Sequence, residues 1–257
     1  MAGSNTIIGV PFESENSLQS MIVDQPEPVT ADSETARRLF KIRAADSSGH
    51  RSSASILINR MYATRGYPSN GLPAEAVPDR ITLTASDHDN VIGTISVGFD
   101  SSLGLLCDEL YLEEINLLRE HGLRVCEFTK LAIDSVVRSK RVLASLFHVA
   151  YIYAHRIKGF DRLLIEVNPR HVKYYERMLG FVVSGPKRMN RRVGAPAMLM
   201  TLDFQHARDE IGRLGGRPES SEHERSLYPY FFSVAEEAGI VSRMNRSDST
   251  DTFPAPL

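Results

Sequence analysis

Between Arg37 and Phe204 the hydrophobic pattern keeps switching between a period of two and a period near 3.6. RRLFKIRAAD is short and strand-like, and SSASILINRMYATRGY behind it carries Ile56, Leu57, Arg60, Met61 and Ala63 at helical spacing. A turn-rich loop, YPSNGLPAEAVPD, leads to the alternating strands RITLTAS and NVIGTISVGF, with DHDN between them as a hairpin turn. LYLEEINLLREHG reads as a helix stopped by Gly122, and RVCEFTKLAID as a strand. Lys140 to Lys158 places Leu143, Leu146, Phe147, Ala150, Ala154 and Ile157 on one face of a long amphipathic helix closed by Gly159. DRLLIEVNP is a strand, RHVKYYERMLGF a short helix ending at Gly180, and GAPAMLMTLDF a last strand. The order β-α-β-β-α-β-α-β-α-β implies an α/β domain with a mixed central sheet flanked by helices, parallel where a helical crossover joins two strands.

The flanks differ from this core. Residues 1–35 hold Glu13, Glu15, Asp24, Glu27, Asp32 and Glu34 with no Lys or Arg, the composition of a flexible acidic lead-in, although TIIGVPF could dock on the domain. Residues 36–204 form the domain, and residues 205–257 a C-terminal helical extension. In the extension QHARDEIGRLGG is a short helix and RPESSEHER a polar linker. LYPYFFSVAEEAGIVSRM is an aromatic helix expected to pack back, and MNRSDSTDTFPAPL a loose tail. A net charge of −2 favours neither nucleic acid nor a membrane surface. Cys107 and Cys126 are too few for a disulfide framework or a CxxC metal site and read as reduced thiols. No signal peptide and no run of membrane-spanning length is visible, so the cytoplasm is the expected location.

One residue breaks the pattern. Glu127 lies among Val125, Cys126, Phe128, Leu131 and Ile133. A carboxylate in such a strand is costly unless it is paired or used. An ion pair with Lys130 or another cation would explain it, and so would service as a base with a raised pKa.

VNPRHVKYYERMLGF, a strand, an Asn/Pro turn and a Tyr-bearing helix closed by Gly-Phe, resembles the GNAT (acyl-CoA N-acyltransferase) fold when set in this element order. CEFTKLAID, VNPRH, YYERMLGF and GAPAMLMTLDF, with IRAA near residue 43 and TRGYPSNGLP near residue 70, are similar to the N-acyl amino acid synthases of that superfamily, relatives of the acyl-homoserine lactone synthases. The resemblance covers roughly residues 36–204. It implies transfer of a long-chain acyl group from acyl carrier protein to the α-amine of an amino acid. The donor, on its 4′-phosphopantetheine arm, would lie in a splay between the fourth and fifth strands, with no further cofactor and no metal. Coenzyme A-dependent relatives carry a glycine-rich turn after the fourth strand, where backbone N–H groups cradle pyrophosphate. Here DSVVRSKRVLAS has no glycine, and the Trp residues of lactone synthases are missing. A lactone-type signal synthase, a coenzyme A-dependent N-acyltransferase and a catalytically silent lipid-sensing module are the alternatives.

The resemblance also suggests site residues. Glu127 falls where the related synthases carry a strand Glu, in a Glu-x-Ser/Thr-Arg/Lys pattern, and would deprotonate the amine. Lys130 would hold a carboxylate or orient Glu127 if a β-bulge turned it, and otherwise would snorkel to the surface. Glu166 is the rival base, or the strand's solvent-side or helix-facing residue. Tyr175 resembles the tyrosine that protonates the leaving thiolate, although four residues rather than three separate it from Gly180. Asn168, Arg170 and His171 could contact pantetheine or the acceptor, with Asn168 equally suited to an N-cap. From residue 138 to 177 nine basic residues face three acidic ones, a formal excess of +6. Arg138, Lys140 and Arg141 would meet the acidic carrier protein at the mouth. No nucleic-acid motif accompanies the patch. The Lys140–Lys158 helix and the last strand, with Met198 and Met200, would wall an acyl slot. The aromatic helix near LYPYFF would cover the tunnel, mediate dimerisation or touch a membrane surface.

Overall fold

The computed structural model describes residues 6–12, 38–68, 71–137 and 139–250, the last five without their side chains. Among the described residues, nine strands form one mixed sheet. β1 (Thr6–Pro11), β2 (Leu39–Ala44), β3 (Arg80–Asp87), β4 (Asn90–Phe99) and β5 (Val125–Ile133) are successive antiparallel neighbours. β6 (Arg162–Val167) runs parallel to β5, and β9 (Ala195–Asp203) pairs antiparallel with β6, with β7 (Val182–Val183) and with β8 (Arg188–Asn190). The helices are α1 (Ser48–Ala63), α2 (Asp108–Glu120), α3 (Lys140–Tyr151), α4 (Val172–Leu179), α5 (Phe204–Leu214) and α6 (Val234–Thr250).

Alternation along the strands assigns the faces. Val125, Leu164 and Leu199 pack under Tyr111 and Ile115 of α2, whereas Cys126, Phe128, Leu163 and Ile165 pack under α3. Helices therefore cover both sides of the strands that carry the site, as expected of an α/β sheet. Gly180 ends α4 at φ +79°, the left-handed conformation its place in the sequence suggested.

The central irregularity is a β-bulge. β4 pairs Thr94 with Ala132 but Ser96 with Thr129, so Ile95 alone opposes Lys130 and Leu131. Lys130 has φ +52°, and its carbonyl accepts from Thr94 Oγ1 at 2.7 Å. The bulge bends β5 and raises its twist. β5 pairs with β6 only at Val125, Cys126 and Glu127, although both strands run on. Beyond Glu127 they splay.

The flanks are more ordered than the sequence suggests. The expected flexible lead-in supplies β1, which pairs with β2, so TIIGVPF docks as an edge strand and moves the predicted fourth and fifth strands to β5 and β6. LYPYFF is not helical throughout: it forms a 3-10 turn at Tyr228–Tyr230, with Pro229 in its first positions where no N–H is needed, and an extended Phe231. Tyr228, Phe231 and Phe232 are at most 3% exposed, so these aromatics fill the core and are not available to a membrane surface. α6 reaches Thr250 where a loose tail was expected from Met244, and Arg243 Nε donates to Ile7 O at 3.1 Å. Residues 251–257 lie outside the described residues. Lys140–Lys158 is one helical run, but its last turn, Ile152–Ile157, widens to π geometry. Among the described residues, no helix is long and apolar enough to cross a membrane.

Candidate active site

The splay opens into a cavity of about 650 Å³. One end is apolar: Ile95, Phe128, Leu131 and Ile133 from the sheet, Leu143 and Phe147 from α3. The bulge makes this possible, because it returns Leu131 and Ile133 to the face that Phe128 occupies. The wall predicted from β9 is present, but as Ala195, Pro196 and Ala197. Met200 is wholly buried in the core, and neither it nor Met198 is among the lining residues.

The other end is polar and holds two carboxylates. Glu127 is 1% exposed. Its Oε1 accepts from Arg80 Nη2 at 2.7 Å, and its Oε2 accepts from the backbone N–H of Cys107, at the N-terminus of α2, at 3.1 Å. A helix N-terminus favours such an anion. Both oxygens of Glu127 are therefore engaged, and its cation is Arg80, not Lys130. Arg80 also donates to Thr129 Oγ1 at 3.1 Å.

Glu166 faces the cavity from β6, not the solvent. Its Oε2 accepts from Arg192 Nη2 and, at 3.3 Å, from Asn190 Nδ2, while its Oε1 is buried with no hydrogen-bond partner. Burial raises its pKa to about 7; Arg192 opposes the shift and the Glu127 charge adds to it. Lys130, carried by the bulge, also lines the cavity, and its ammonium is lowered to about 8 by burial and then by the neighbouring charges of Arg80 and Arg192.

The turn after β6 behaves partly as expected. Asn168 Oδ1 accepts from Arg170 N at 3.2 Å, capping the 3-10 turn Pro169–His171, and Asn168 and His171 line the cavity. Arg170 is exposed and outside the lining; its Nε donates to His171 Nε2 at 3.1 Å. Burial, Arg170 and Arg65 lower the His171 pKa. Tyr175 lines the cavity, and burial pushes its phenol well above its ordinary pKa. Arg192, Asn190, and Tyr62, Arg65 and Tyr67 at the end of α1 complete the wall. The sequence did not mark these as site residues: Tyr62, Arg65 and Tyr67 fall at the end of a segment read for its helical spacing, Asn190 and Arg192 fall between two assigned elements, and TRGYPSNGLP was the one available signal.

The basic patch is smaller than its sequence count. Arg141 donates to Tyr230 O at 2.8 Å and stacks over Phe232, so it fixes the C-terminal extension instead of presenting an open charge. Arg156 pairs with Glu237 at 3.2 Å and Arg162 with Asp203 at 2.6 Å. Lys140 is exposed beside the Tyr230 ring, and Arg138 lies outside the described residues. Ser139 Oγ accepts from Val142 N at 3.2 Å, so a side chain caps the N-terminus of α3 where a pyrophosphate would need free N–H groups.

The family described as N-acyl amino acid synthase FeeM matches residues 53–203. A solved N-acyl amino acid synthase, FeeM, from uncultured soil microbes is 27% identical, with a TM-score of 0.59 over 66% of this chain and 93% of that one. A putative N-acetyltransferase from Lactobacillus plantarum is 18% identical, with a TM-score of 0.47 over 64% of this chain and 98% of that one. A GNAT-family acetyltransferase from Streptococcus pneumoniae is 17% identical, with a TM-score of 0.46 over the same shares. No curated protein matches the chain.

Proposed function

The chain belongs to the N-acyl amino acid synthase family, GNAT-fold acyltransferases, and from that premise we propose that it moves a long-chain acyl group from acyl carrier protein to the α-amine of an amino acid, with Glu166 as the base. The observation that carries the assignment is the contrast between the two carboxylates. Glu127 has both oxygens occupied, whereas Glu166 keeps Oε1 unpartnered in the cavity wall. The family resemblance favoured Glu127 as base; here it becomes a positioning residue that holds Arg80 and Thr129 in place.

The acceptor arrives as an ammonium and must lose a proton before its nitrogen can attack the thioester carbonyl. Glu166, with a pKa of about 7, takes that proton and is half ionised at neutral pH. Beyond Glu127 the edge of β5 that faces β6 has no strand partner, so its N–H groups are available to the carbonyl oxygen as it becomes an oxyanion. The C–S bond then breaks. The departing thiolate, with a conjugate acid near 8.5, matches Lys130 at about 8, which gives a proton to sulfur and, as the neutral amine, takes the one the nitrogen loses as the amide forms. Tyr175, with its phenol pushed well up, is a poorer proton source and serves as a hydrogen-bond donor to the thioester.

The apolar end of the cavity suits an acyl chain. The capped, glycine-free start of α3 favours a pantetheine arm without adenosine pyrophosphate. The test compares Glu166→Gln and Glu127→Gln with acyl carrier protein and acyl-coenzyme A as donors. The reading expects product with the carrier, a higher kcat/KM for it than for coenzyme A, and loss of the acidic limb of the pH profile only in Glu166→Gln. Loss of that limb in Glu127→Gln alone would reverse the assignment of the base.

A further inference from the structure

Arg192 and Glu166 touch, and each keeps one buried polar atom without a partner. Arg192 sits in the turn between β8 and β9, which Gly194 closes at φ +62°. Its backbone N–H donates to Asn190 Oδ1 at 2.9 Å, and Asn190 Nδ2 in turn donates to Glu166 Oε2 at 3.3 Å, so one short hairpin holds both side chains. The guanidinium meets Glu109 Oε2 through Nε at 3.4 Å and Glu166 Oε2 through Nη2. Arg192 Nη1 and Glu166 Oε1 are left over. Native proteins rarely leave such groups unpaired, and each costs free energy until something fills it.

From this pairing we propose that Arg192 is the carboxylate-recognition residue of the acceptor site: Nη1 holds the α-carboxylate of an amino acid while Glu166 Oε1 receives its α-ammonium. The proposal rests on the acyl-transfer reading above. An α-amino acid carries its two charges one carbon apart, so it needs a free donor and a free acceptor side by side, and a touching Arg–Glu pair supplies that arrangement. A simple amine would satisfy Glu166 and leave Nη1 orphaned in the wall. The other charges of the cavity agree. Arg65 adds a second guanidinium to the lining beside Arg192, and Glu127 there is already held by Arg80, which favours a ligand that brings an anion. A site with buried polar groups rejects an analogue that lacks their partner more strongly than an apolar pocket rejects a missing methylene.

The experiment measures acceptor selectivity at a fixed acyl-carrier-protein donor, using an amino acid and the amine left by removing its carboxylate. Wild type should prefer the amino acid by roughly 10- to 100-fold in kcat/KM, the worth of one charge-assisted hydrogen bond. Arg192→Gln should bring the ratio toward one, and Arg192→Lys, which keeps the charge, should retain part of it. The ratio separates recognition from support of Glu166, because both acceptors use that carboxylate. Equal losses on both acceptors, with the ratio unchanged, would show that Arg192 only buttresses Glu166 and would overturn the proposal. Wild type that acylates both acceptors alike sinks the proposal and leaves acyl transfer standing, whereas wild type that acylates neither from any thioester removes both.

Discussion

Arg80 and Glu127 lie on strands that do not touch, yet they meet at 2.7 Å over a residue that has no side chain. Gly98 of β4 is the register partner of Arg80 on one side and of Glu127 on the other. A Cβ there would stand 2.9 Å from Glu127 Cγ and Oε1 and 3.1 Å from Arg80 Nη2. We expect Gly98→Ala to push the pair apart and lower kcat/KM. Arg80→Met should cost more, about 3–5 kcal/mol, because it strands a buried carboxylate. Thermal melts of both variants beside wild type check the order; a stable Arg80→Met protein would contradict the pairing.

The two shifted groups in the cavity predict a narrow pH optimum. Glu166 must be ionised to accept a proton, so kcat/KM should rise as pH climbs through about 7. Lys130 must be protonated to donate, so it should fall as pH passes about 8. The measurement is kcat/KM against pH with acyl carrier protein as donor. Glu166→Gln should flatten the acidic limb, and Lys130→Met the alkaline one. An alkaline limb that persists in Lys130→Met would move the acid to another group.

Phe128 and Phe147 close the apolar end of the cavity, with ring centroids 6.1 Å apart. Behind them a narrow apolar seam runs to Phe204 and to Phe231 of the C-terminal extension. Phe147→Leu should therefore shift the preferred acyl length upward, as the slot gains depth toward that seam. Competition among acyl-carrier-protein donors of graded length, read by mass spectrometry of the products, checks it; an unchanged preference would place the end of the chain elsewhere.

Periodicity was enough for β2 to β6, for β9 and for α1 to α4, because alternation and 3.6-residue spacing report burial directly, but it did not mark the short strands β7 and β8. It was silent on the bulge at Lys130, which depends on how β4 pairs with β5, and on Arg80, whose partner lies 47 positions away. Glu127 was recognised as anomalous from its neighbours alone, but its role turned on contacts with Arg80 and Cys107 that no local pattern encodes. Arg192 was missed for the same reason: in the sequence it is one cation in a polar turn, and only the β8–β9 hairpin brings it to Glu166.

The C-terminal extension is held by a buried imidazole, which makes its docking sensitive to acid. His148 is wholly buried between Phe231 and Phe232, with ring centroids at 4.9 Å and 5.1 Å. Its Nδ1 accepts from Phe232 N–H at 2.9 Å, which leaves Nε2 to donate to Glu237 Oε2 at 3.1 Å, so the ring is neutral. Burial lowers its pKa, against the pull of Glu237 and Glu236 and with a small contribution from Arg141. Glu237 is also lowered: burial would raise it, but His148, Arg156 and Arg208 outweigh that. A folded-state His below its unfolded value stabilises the fold above about pH 6.5 and loses that contribution as pH falls. The depressed Glu237 acts in the same direction at lower pH, since its contribution is lost as the carboxylate protonates. Melting temperature should therefore drop between pH 7.5 and 5.5, and His148→Phe, which keeps the stacking but has no proton to gain, should be less stable at pH 7.5 yet show a smaller drop. Circular-dichroism melts at the two pH values decide it: equal drops in the two proteins would mean that the acid sensitivity arises outside this clamp.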